Sequence, residues 1–224
     1  MQAHPTRAVR DDVERLLNYA ATYPNALTVI RPSSMVLRAD SDASYLSESQ
    51  SRSRGAGYWY LGSDDTSEPV NAAVDIVCTI LPTVTSSTAE SEYVALFING
   101  QKGEPLRNTL FDLGYPQGAT PLKTDNECAT GIATDSIQQR RSKAILMRFH
   151  WIRERVRLGH FHVYWRPGDE NIADYFTKAH PVHHIRRMRP ALVTDIYDPA
   201  DLAHRWAHHI PLCPLMLRAL QQLG

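Results

Sequence analysis

Apolar residues near the start of the chain recur every three or four positions. Over residues 6–23 this spacing predicts an amphipathic helix, and Pro24 followed by Asn25 predicts its end. The apolar positions are Val9, Val13, Leu16, Leu17 and Ala20. The next apolar run, "ALTVI" at 26–30, is short enough to form a strand. The chain is therefore expected to begin with a helix and a short strand.

Three segments rich in β-branched and aromatic residues follow, with polar turns between them. The segments are "SMVLRADSDASY" at 34–45, "GYWYLGS" at 57–63 and "NAAVDIVCTI" at 71–80. The polar stretches "SESQSRSRGAG" and "SDDTSEP" between them predict turns. This pattern is typical of an antiparallel meander of strands.

The second half of the chain alternates between helical and extended patterns. Its first helix is expected over 86–114, either broken or split in two by Gly100, Gly103 and Pro105. The later elements are a strand at 120–127, helices at 128–133 and 135–159, a strand at 160–168 and a helix at 169–179. A meander followed by this alternation predicts an α/β fold with a mixed sheet and helices packed on it. Residues 180–224 are expected to be irregular, with a short helix or two.

Composition narrows the class of protein. The 224 residues suit one compact α/β domain with extensions, and a formal net charge of zero gives no global sign of a nucleic-acid partner. Cys78, Cys128 and Cys213 are far apart, which indicates reduced, buried thiols and no disulfide framework. We expect an intracellular protein, because the sequence shows neither a signal peptide nor a transmembrane segment.

Acidic residues stand at the ends of several predicted elements. Asp42 lies on the first strand of the meander, Glu92 near the start of the helix at 86–114, Asp125 at the end of the next strand, and Asp174 in the last helix. Metal-assisted cleavage of a phosphodiester needs several carboxylates that converge on a pair of hard cations. The pattern alone does not choose between Asp42 and Asp40, whose side chains share one face of a strand.

A family resemblance rests on four blocks of sequence. They are "SDASY", "SSTAESEYVAL", "LKTDNECA" and "VYWRPGDENIADYFTKAHP". In this order and spacing they resemble the ribonuclease H domain of copia-type LTR retrotransposon polyproteins. The resemblance implies an RNase H-like fold over 33–181, with a five-stranded mixed sheet of three antiparallel strands followed by two parallel ones. It also implies that 1–32 resemble the helical connection to a reverse transcriptase, and that 182–224 form a C-terminal extension.

The same resemblance implies a site and an activity. The residues that match the family's metal-binding acids are Asp42, Glu92, Asp125 and Asp174. The resemblance thus selects Asp42 over Asp40, and the "EYVAL" pattern selects Glu92 over Glu90, which lies about 200° away around a helix. The implied enzyme is an endoribonuclease that cuts the RNA strand of RNA–DNA hybrids with two Mg²⁺ ions, for which Mn²⁺ can substitute.

The resemblance also implies partners and a cellular context. The partners are the RNA–DNA hybrid and an upstream reverse transcriptase domain of the same polyprotein, with no membrane involved. The implied compartment is the cytoplasm, a virus-like particle or the nucleus. Two alternatives remain: a catalytically silent retroelement remnant that only binds nucleic acid, and a sugar hydrolase with two carboxylates and no metal requirement.

Two basic stretches are candidate contacts for the nucleic-acid backbone. Arg140, Arg141 and Lys143 lie in the helix expected at 135–159, where a solvated helix face is the alternative. Arg52 and Arg54 lie in the polar stretch that is expected to be a mobile loop.

The histidines offer weaker candidates. His160 and His162 alternate on a strand that we expect near Asp174, where they could assist proton transfer or simply pack at the surface. The histidines near the C-terminus, such as His183 and His184, lack cysteine partners at zinc-site spacing, so the sequence does not favour a zinc site there.

Overall fold

The structure is a computed structural model that describes residues 6–63, 70–136 and 143–195, without the side chains of 143–146 and 149. The chain divides into two units. One is Ser33–Met188, and the described part of the other comprises 6–32 and 189–195. The predicted domain boundaries, 1–32, 33–181 and 182–224, stay a prediction.

Helices and strands occur in the predicted order as far as β6. In chain order they are α1 Arg7–Thr22, β1 Ala26–Leu27, β2 Val36–Glu48, β3 Arg52–Gly62, β4 Ala73–Ile80, α2 Thr88–Asp112, β5 Thr120–Thr124, α3 Glu127–Ala133, α4 Lys143–Arg157, β6 Phe161–Trp165, α5 Val182–Leu192 and β7 Thr194–Asp195. None of the described helices combines the length and the apolar character that a membrane span requires.

Five strands form the central sheet in the order β4–β3–β2–β5–β6. The strands β2, β3 and β4 are antiparallel, whereas β5 and β6 run parallel to β2. This arrangement confirms the predicted RNase H-like fold class. Because β2, β5 and β6 are parallel, their carboxyl ends meet at one edge of the sheet.

The apolar core lies between the sheet and helices α2, α3 and α4. Buried side chains from β2, β3 and β6 pack there against residues of α2. They include Leu37, Trp59, Phe161, Tyr93 and Leu96. One face of the sheet is therefore covered by helices.

Helix α2 is continuous, so the predicted break near Gly100 and Gly103 is wrong. A Cβ at Gly103 would lie 2.5 Å from the Trp59 ring, and one at Gly100 would lie 2.8 Å from both Ile152 and the Trp151 ring. These glycines let α2 approach its neighbours closely, and the burial gained there holds the helix together through its weak positions. The predicted end at Gly114 agrees with the structure, because Gly114 follows the helix with φ of +87°.

The segment after β6 is not the α-helix predicted over 169–179. It forms two 3₁₀ turns, Gly168–Glu170 and Ile172–Phe176. The buried Asn171 explains the interruption: its amide donates to the main-chain oxygen of Ser41 at 2.9 Å, and its side-chain oxygen accepts from Ala173 N at 3.2 Å. This segment covers the second face of the sheet.

Three further expectations are corrected. The polar stretch before Gly57 is mostly strand, since β3 already begins at Arg52 and pairs with β2. Residues 182–192, expected to be irregular, form α5. Cys78 and Cys128 are free thiols, but both are exposed, not buried, and Cys213 lies outside the described residues.

Candidate metal centre

Asp42 lies near the carboxyl end of the parallel part of the sheet. Its side chain is buried on the face that the 3₁₀ segment covers. The Thr177 hydroxyl donates to Asp42 Oδ2 at 2.5 Å. The neighbouring strand β5 ends just before Asp125, so these two acids reach the same edge from adjacent parallel strands.

Glu92 approaches that edge from α2, on the other side of the sheet. The helix begins after Ser87, whose hydroxyl accepts from Glu90 N, and its second turn carries Glu92. The backbone N–H of Ala43 donates to Glu92 Oε1 at 3.2 Å, and the Thr124 hydroxyl to Oε2 at 3.4 Å. Glu92 is 3% exposed, so its carboxylate is fixed against the strand ends.

Asp125 completes a compact group of carboxylates. One oxygen from each of Asp42, Glu92 and Asp125 lies within 4.8 Å of the other two. Gly168 sits against this group, because a Cβ built on it would lie 2.7 Å from Asp125 Oδ2. Asp174 lies outside the group of mutually close oxygens but near enough to act on it electrostatically.

Burial and mutual repulsion make these carboxyls reluctant to ionise. Burial raises the pKa of Asp42 to about 6, with Asp125 and Asp174 adding to the rise and the Thr177 hydrogen bond opposing it. Burial, and then Asp42 and Asp125, raise the pKa of Glu92 well above its usual range. Burial, and then Asp174, raise the pKa of Asp125. Ionised together, these groups would favour a cation between them.

Asp174 has a cationic partner, Lys178, that follows it in the same stretch of chain after β6. Lys178 Nζ bonds to Asp174 Oδ1, one helical turn away along the chain. Desolvation lowers the pKa of Lys178, but its bond to Asp174 and the charges of Asp174, Asp42 and Asp125 raise it overall. A single ammonium only partly balances the four neighbouring carboxylates, and oxygen donors of this kind fit a hard divalent cation.

Asp40 and Glu90, the two acids that the family resemblance did not select, form contacts away from the carboxylate group. Asp40 forms a buried ion pair with Lys123, with 2.7 Å between Oδ2 and Nζ, and accepts from Ile172 N at 3.1 Å. Glu90 Oε2 accepts from Ser86 N at 2.7 Å and thereby caps the start of α2. Both acids are engaged in holding the fold.

Of the five residues predicted to contact nucleic acid, the structure describes the side chains of Arg52 and Arg54. Arg52 and Arg54 lie in β3, not in a mobile loop, and Arg54 Nε pairs with Glu48 Oε1 at 2.6 Å. Lys143 begins α4, but its side chain lies outside the described residues, as do Arg140 and Arg141. The role of all five in binding nucleic acid stays a prediction.

The arginines later in α4 are already paired with protein groups. Arg148 donates to Thr83, Arg153 pairs with Asp135 at 2.9 Å, and Arg155 pairs with Glu104 at 3.2 Å.

His160 is not near Asp174, contrary to expectation. It precedes β6 and contacts Glu104 at 2.8 Å, at the opposite end of that strand from Asp125. The histidines beside Asp174 are instead His180 and His184.

Sequence reasoning overlooked Thr177, Lys178 and His180 as neighbours of the acids. All three follow Asp174 within the block "ADYFTKAHP", so their proximity in sequence was the available signal.

An open cleft of about 350 Å³ gives access to Asp125 and Asp174. Cationic or potentially cationic side chains also line it: Lys178 from the 3₁₀ segment's end, and His184 and Arg187 from α5. The cleft thus presents carboxylates beside positive charge, which suits an anionic ligand held next to a cation.

Comparison with known proteins gives one curated relative and several similar structures. No protein-family model matches the chain. Over 146 residues, 65% of the chain, it is 29% identical to the retrovirus-related Pol polyprotein from transposon TNT 1-94 of Nicotiana tabacum. The match spans 10% of that polyprotein's length. This similarity confirms the resemblance to a retrotransposon Pol polyprotein.

The similar solved structures are RNase H proteins of low sequence identity. LC11-RNase H1, isolated from compost by a metagenomic approach, is 12% identical with a TM-score of 0.46, and 64% of this chain and 93% of that chain are covered. The N-terminal RNase H domain of a Mycobacterium tuberculosis protein is 12% identical with a TM-score of 0.44, covering 64% and 91% of the two chains. LC11-RNase H1 in complex with an RNA/DNA hybrid is 11% identical with a TM-score of 0.44, covering 63% and 93%.

Proposed function

We propose that this chain is a ribonuclease H domain of a copia-type retrotransposon polyprotein. In this proposal it is an endoribonuclease that hydrolyses the RNA strand of RNA–DNA hybrids by two-metal catalysis during reverse transcription. The observation that carries the proposal is the convergence of the buried Asp42 and Glu92 with the half-buried Asp125, each offering an oxygen within 4.8 Å of the other two, with Asp174 beside them. The similarity to a retrotransposon Pol polyprotein supports the same activity.

The donor set fits Mg²⁺, with Mn²⁺ as a substitute. Carboxylate oxygens are the ligands that hard divalent cations prefer. Burial, and after it the neighbouring acids, raise the pKa values of Asp42 and Glu92, and a bound cation would favour the ionised form of both. Asp42, Glu92, Asp125 and Asp174 would hold the ions. When bound, two such cations supply activation of the attacking water and charge stabilisation at the leaving oxygen.

The surrounding side chains hold the carboxylates ready. Thr177 fixes one oxygen of Asp42, while Ala43 N and Thr124 fix both oxygens of Glu92. Because these hydrogen bonds already hold the carboxylates in position, the side chains need to move little when cations bind. Lys178 neutralises part of the charge of Asp174. It also lines the cleft, where its ammonium group can bind a phosphate of the substrate.

Helix α5 supplies the cations that we assign to the substrate backbone. Its sequence "VHHIRRMRPAL" carries no acid, and Arg186 and Arg187 are exposed. Within the described part of the chain neither pairs with a carboxylate, whereas Arg153 and Arg155 of α4 do. Phosphate contacts supply affinity without reading sequence, so we expect little preference for base sequence.

The polyprotein context is part of the proposal. An upstream reverse transcriptase domain would share the task of holding the hybrid, and the reaction would take place in the cytoplasm, a virus-like particle or the nucleus. On this view the isolated chain binds hybrid weakly and with steep salt dependence.

A cleavage assay tests the proposal. The chain is incubated with an RNA–DNA hybrid labelled on the RNA strand, and in parallel with the same RNA alone, the DNA duplex and the RNA duplex. We expect Mg²⁺-dependent cutting of the RNA in the hybrid, abolished by EDTA. Binding of hybrid without any cleavage in Mg²⁺ or Mn²⁺ would instead identify a catalytically silent remnant.

A further inference from the structure

A second group of potential metal ligands lies beside the carboxylate cluster. Asp174, His180 and His184 each offer a ligand atom within 4.8 Å of the other two. We propose that these three residues bind a transition-metal dication such as Zn²⁺ or Co²⁺. The site differs in chemistry from the all-carboxylate cluster and shares Asp174 with it.

His180 is held in place before any metal arrives. Its side chain is 8% exposed, and its ring stacks on Tyr175, at 5.4 Å between centroids, and on His184, at 4.2 Å. Its Nε2 lies 3.1 Å from the main-chain oxygen of Asp174, which can only accept, so Nε2 is the donor. Ligating histidines usually donate one ring N–H to a carbonyl or carboxylate in this way, which fixes the ring and leaves the lone pair on the other nitrogen.

Asp174 has one oxygen engaged and one available. Oδ1 bonds to Lys178, whereas Oδ2 lies 3.9 Å from His180 Nε2. The side chain is 24% exposed and lines the cleft, so a hydrated ion can reach it. Lys178 therefore occupies one carboxylate oxygen and leaves the other for a cation.

His184 supplies the third ligand from the first turn of α5. It follows His180 by four residues, a separation within the range of histidine pairs in zinc sites, and it also lines the cleft. Its Nδ1 lies 3.2 Å from a guanidinium nitrogen of Arg187. Arg187 is exposed, so it can turn into solvent when a cation takes its place.

The donor set decides the class of cation. Imidazole suits Zn²⁺, Co²⁺, Ni²⁺ and Cu²⁺, whereas Mg²⁺ prefers oxygen donors and keeps its water. Two imidazoles and one carboxylate, with access from the cleft, resemble the donor set of zinc sites that keep an open position. Ligand atoms of a tetrahedral zinc site lie about 3.4 Å apart. The rings of His180 and His184 now stack at an interplanar angle of 18°, and each lone pair lies in its ring plane, so both rings must turn for their lone pairs to meet one ion.

Sharing Asp174 has a consequence that rests on the proposed nuclease function. A dication bound between Asp174 and the histidines withdraws that carboxylate from the Mg²⁺ site. Zinc is therefore an inhibitor that acts through His180 and His184.

Cobalt and zinc binding to the full chain test the site directly. Co²⁺ is titrated with its visible absorption as the readout, and Zn²⁺ by calorimetry, for the wild type, His180→Asn and His184→Asn. His183→Asn is the matched control, because His183 neighbours His184 on α5 but lies outside the group. We expect His180→Asn and His184→Asn to weaken binding at least tenfold, and His183→Asn to match the wild type.

One further variant separates this site from the nuclease proposal, and His184→Asn separates it from folding effects. Glu92→Gln removes a ligand of the carboxylate cluster and should leave the Co²⁺ spectrum and the Zn²⁺ affinity intact, whether or not the chain cleaves hybrid. His184 is only half-buried, so His184→Asn decides the matter if His180→Asn unfolds. Equal affinity of His184→Asn and His183→Asn for both metals would overturn the proposal.

Discussion

At the scale of single residues, Asp40 and Asp42 show how surroundings assign different roles to identical side chains. They share one face of β2, yet Asp40 pairs with Lys123 whereas Asp42 faces Glu92 and Asp125. The sequence could not separate them, because strand periodicity places both on the same side. Their difference depends on Lys123 and Ile172, which are distant along the chain.

The raised pKa of Asp42 predicts an unusual pH dependence of stability. In the unfolded chain its pKa is near 3.8, and in the fold it is about 6, so the folded state holds the proton more tightly. Stability of the metal-free protein therefore falls as the pH rises from about 4 to about 6, and Asp42→Asn removes this loss. At pH 7 we expect the variant to be more stable by about 2–3 kcal/mol without metal, as measured by chemical unfolding in EDTA.

The same measurement at pH 4 is the control for that prediction. There the folded carboxyl is protonated and the unfolded one is only about half ionised, so most of the advantage of Asp42→Asn should be gone. An advantage that is equal at both pH values, or a loss of stability at pH 7, would contradict the electrostatic account.

Gly168 is predicted to position Asp125. A methyl group there would meet Asp125 Oδ2 at 2.7 Å, so Gly168→Ala should displace the carboxylate and raise the Mg²⁺ concentration for half-maximal cleavage at least several-fold. Gly118→Ala is the matched control, because a Cβ at Gly118 meets nothing within 4 Å. Identical Mg²⁺ titrations of hybrid cleavage by the two variants would show that the close approach of Gly168 has no role.

At the scale of elements, α4 and α5 divide the positive charge differently. The described arginines of α4 are largely engaged with neighbours such as Asp135 and Glu104. Arg186 and Arg187 of α5 remain exposed, and Arg187 lines the cleft. Counting charges along the sequence favoured the helix at 135–159. The count could not reveal which arginines the fold would neutralise, since their partners lie on α2 and after α3.

Charge reversal on α5 tests its role in holding the substrate. Arg186→Glu combined with Arg187→Glu should weaken hybrid binding at least tenfold and flatten its dependence on salt, because two phosphate contacts are lost. Arg7→Glu with Arg10→Glu on α1 changes the net charge equally and is the control. Binding is measured by fluorescence anisotropy in EDTA at several salt concentrations.

The same assay compares α5 with the stretch first predicted from sequence. Reversal of Arg140, Arg141 and Lys143 is expected to weaken binding as well and to leave the fold intact, because phosphate contacts supply the affinity. If reversal of Arg140, Arg141 and Lys143 weakens binding strongly and reversal of Arg186 and Arg187 does not, the substrate is held by residues 140–143, and the proposed role of α5 is wrong.

At the scale of the whole molecule, the order of elements and the mixed sheet were predictable because both follow from hydrophobic periodicity and from connection rules. The departures have local causes. Asn171 interrupts the last predicted helix by bonding to Ser41, and the contacts at Gly100 and Gly103 keep α2 continuous. Such tertiary contacts join residues far apart in sequence, so no local pattern reports them.

The candidate site shows the same limit. The family resemblance selects the four acids but does not give the distances between them. Those distances, and the position of His180 and His184 beside Asp174, depend on how β2, β5, α2 and the 3₁₀ segment pack together. The fold therefore brings residues that are spread over more than half of the chain's length together at one centre.

The central claim is that the carboxylate cluster is a divalent-metal centre that cleaves RNA–DNA hybrids. Its most direct test measures Mn²⁺ binding and hybrid cleavage together for the wild type, Asp42→Asn and Asp169→Asn; Asp169 lines the cleft but lies outside the cluster. We predict that Asp42→Asn loses most Mn²⁺ affinity and at least a hundredfold in cleavage, whereas Asp169→Asn retains both. Cleavage by Asp42→Asn at the wild-type rate, or Mn²⁺ affinity unchanged by that substitution, would contradict the account.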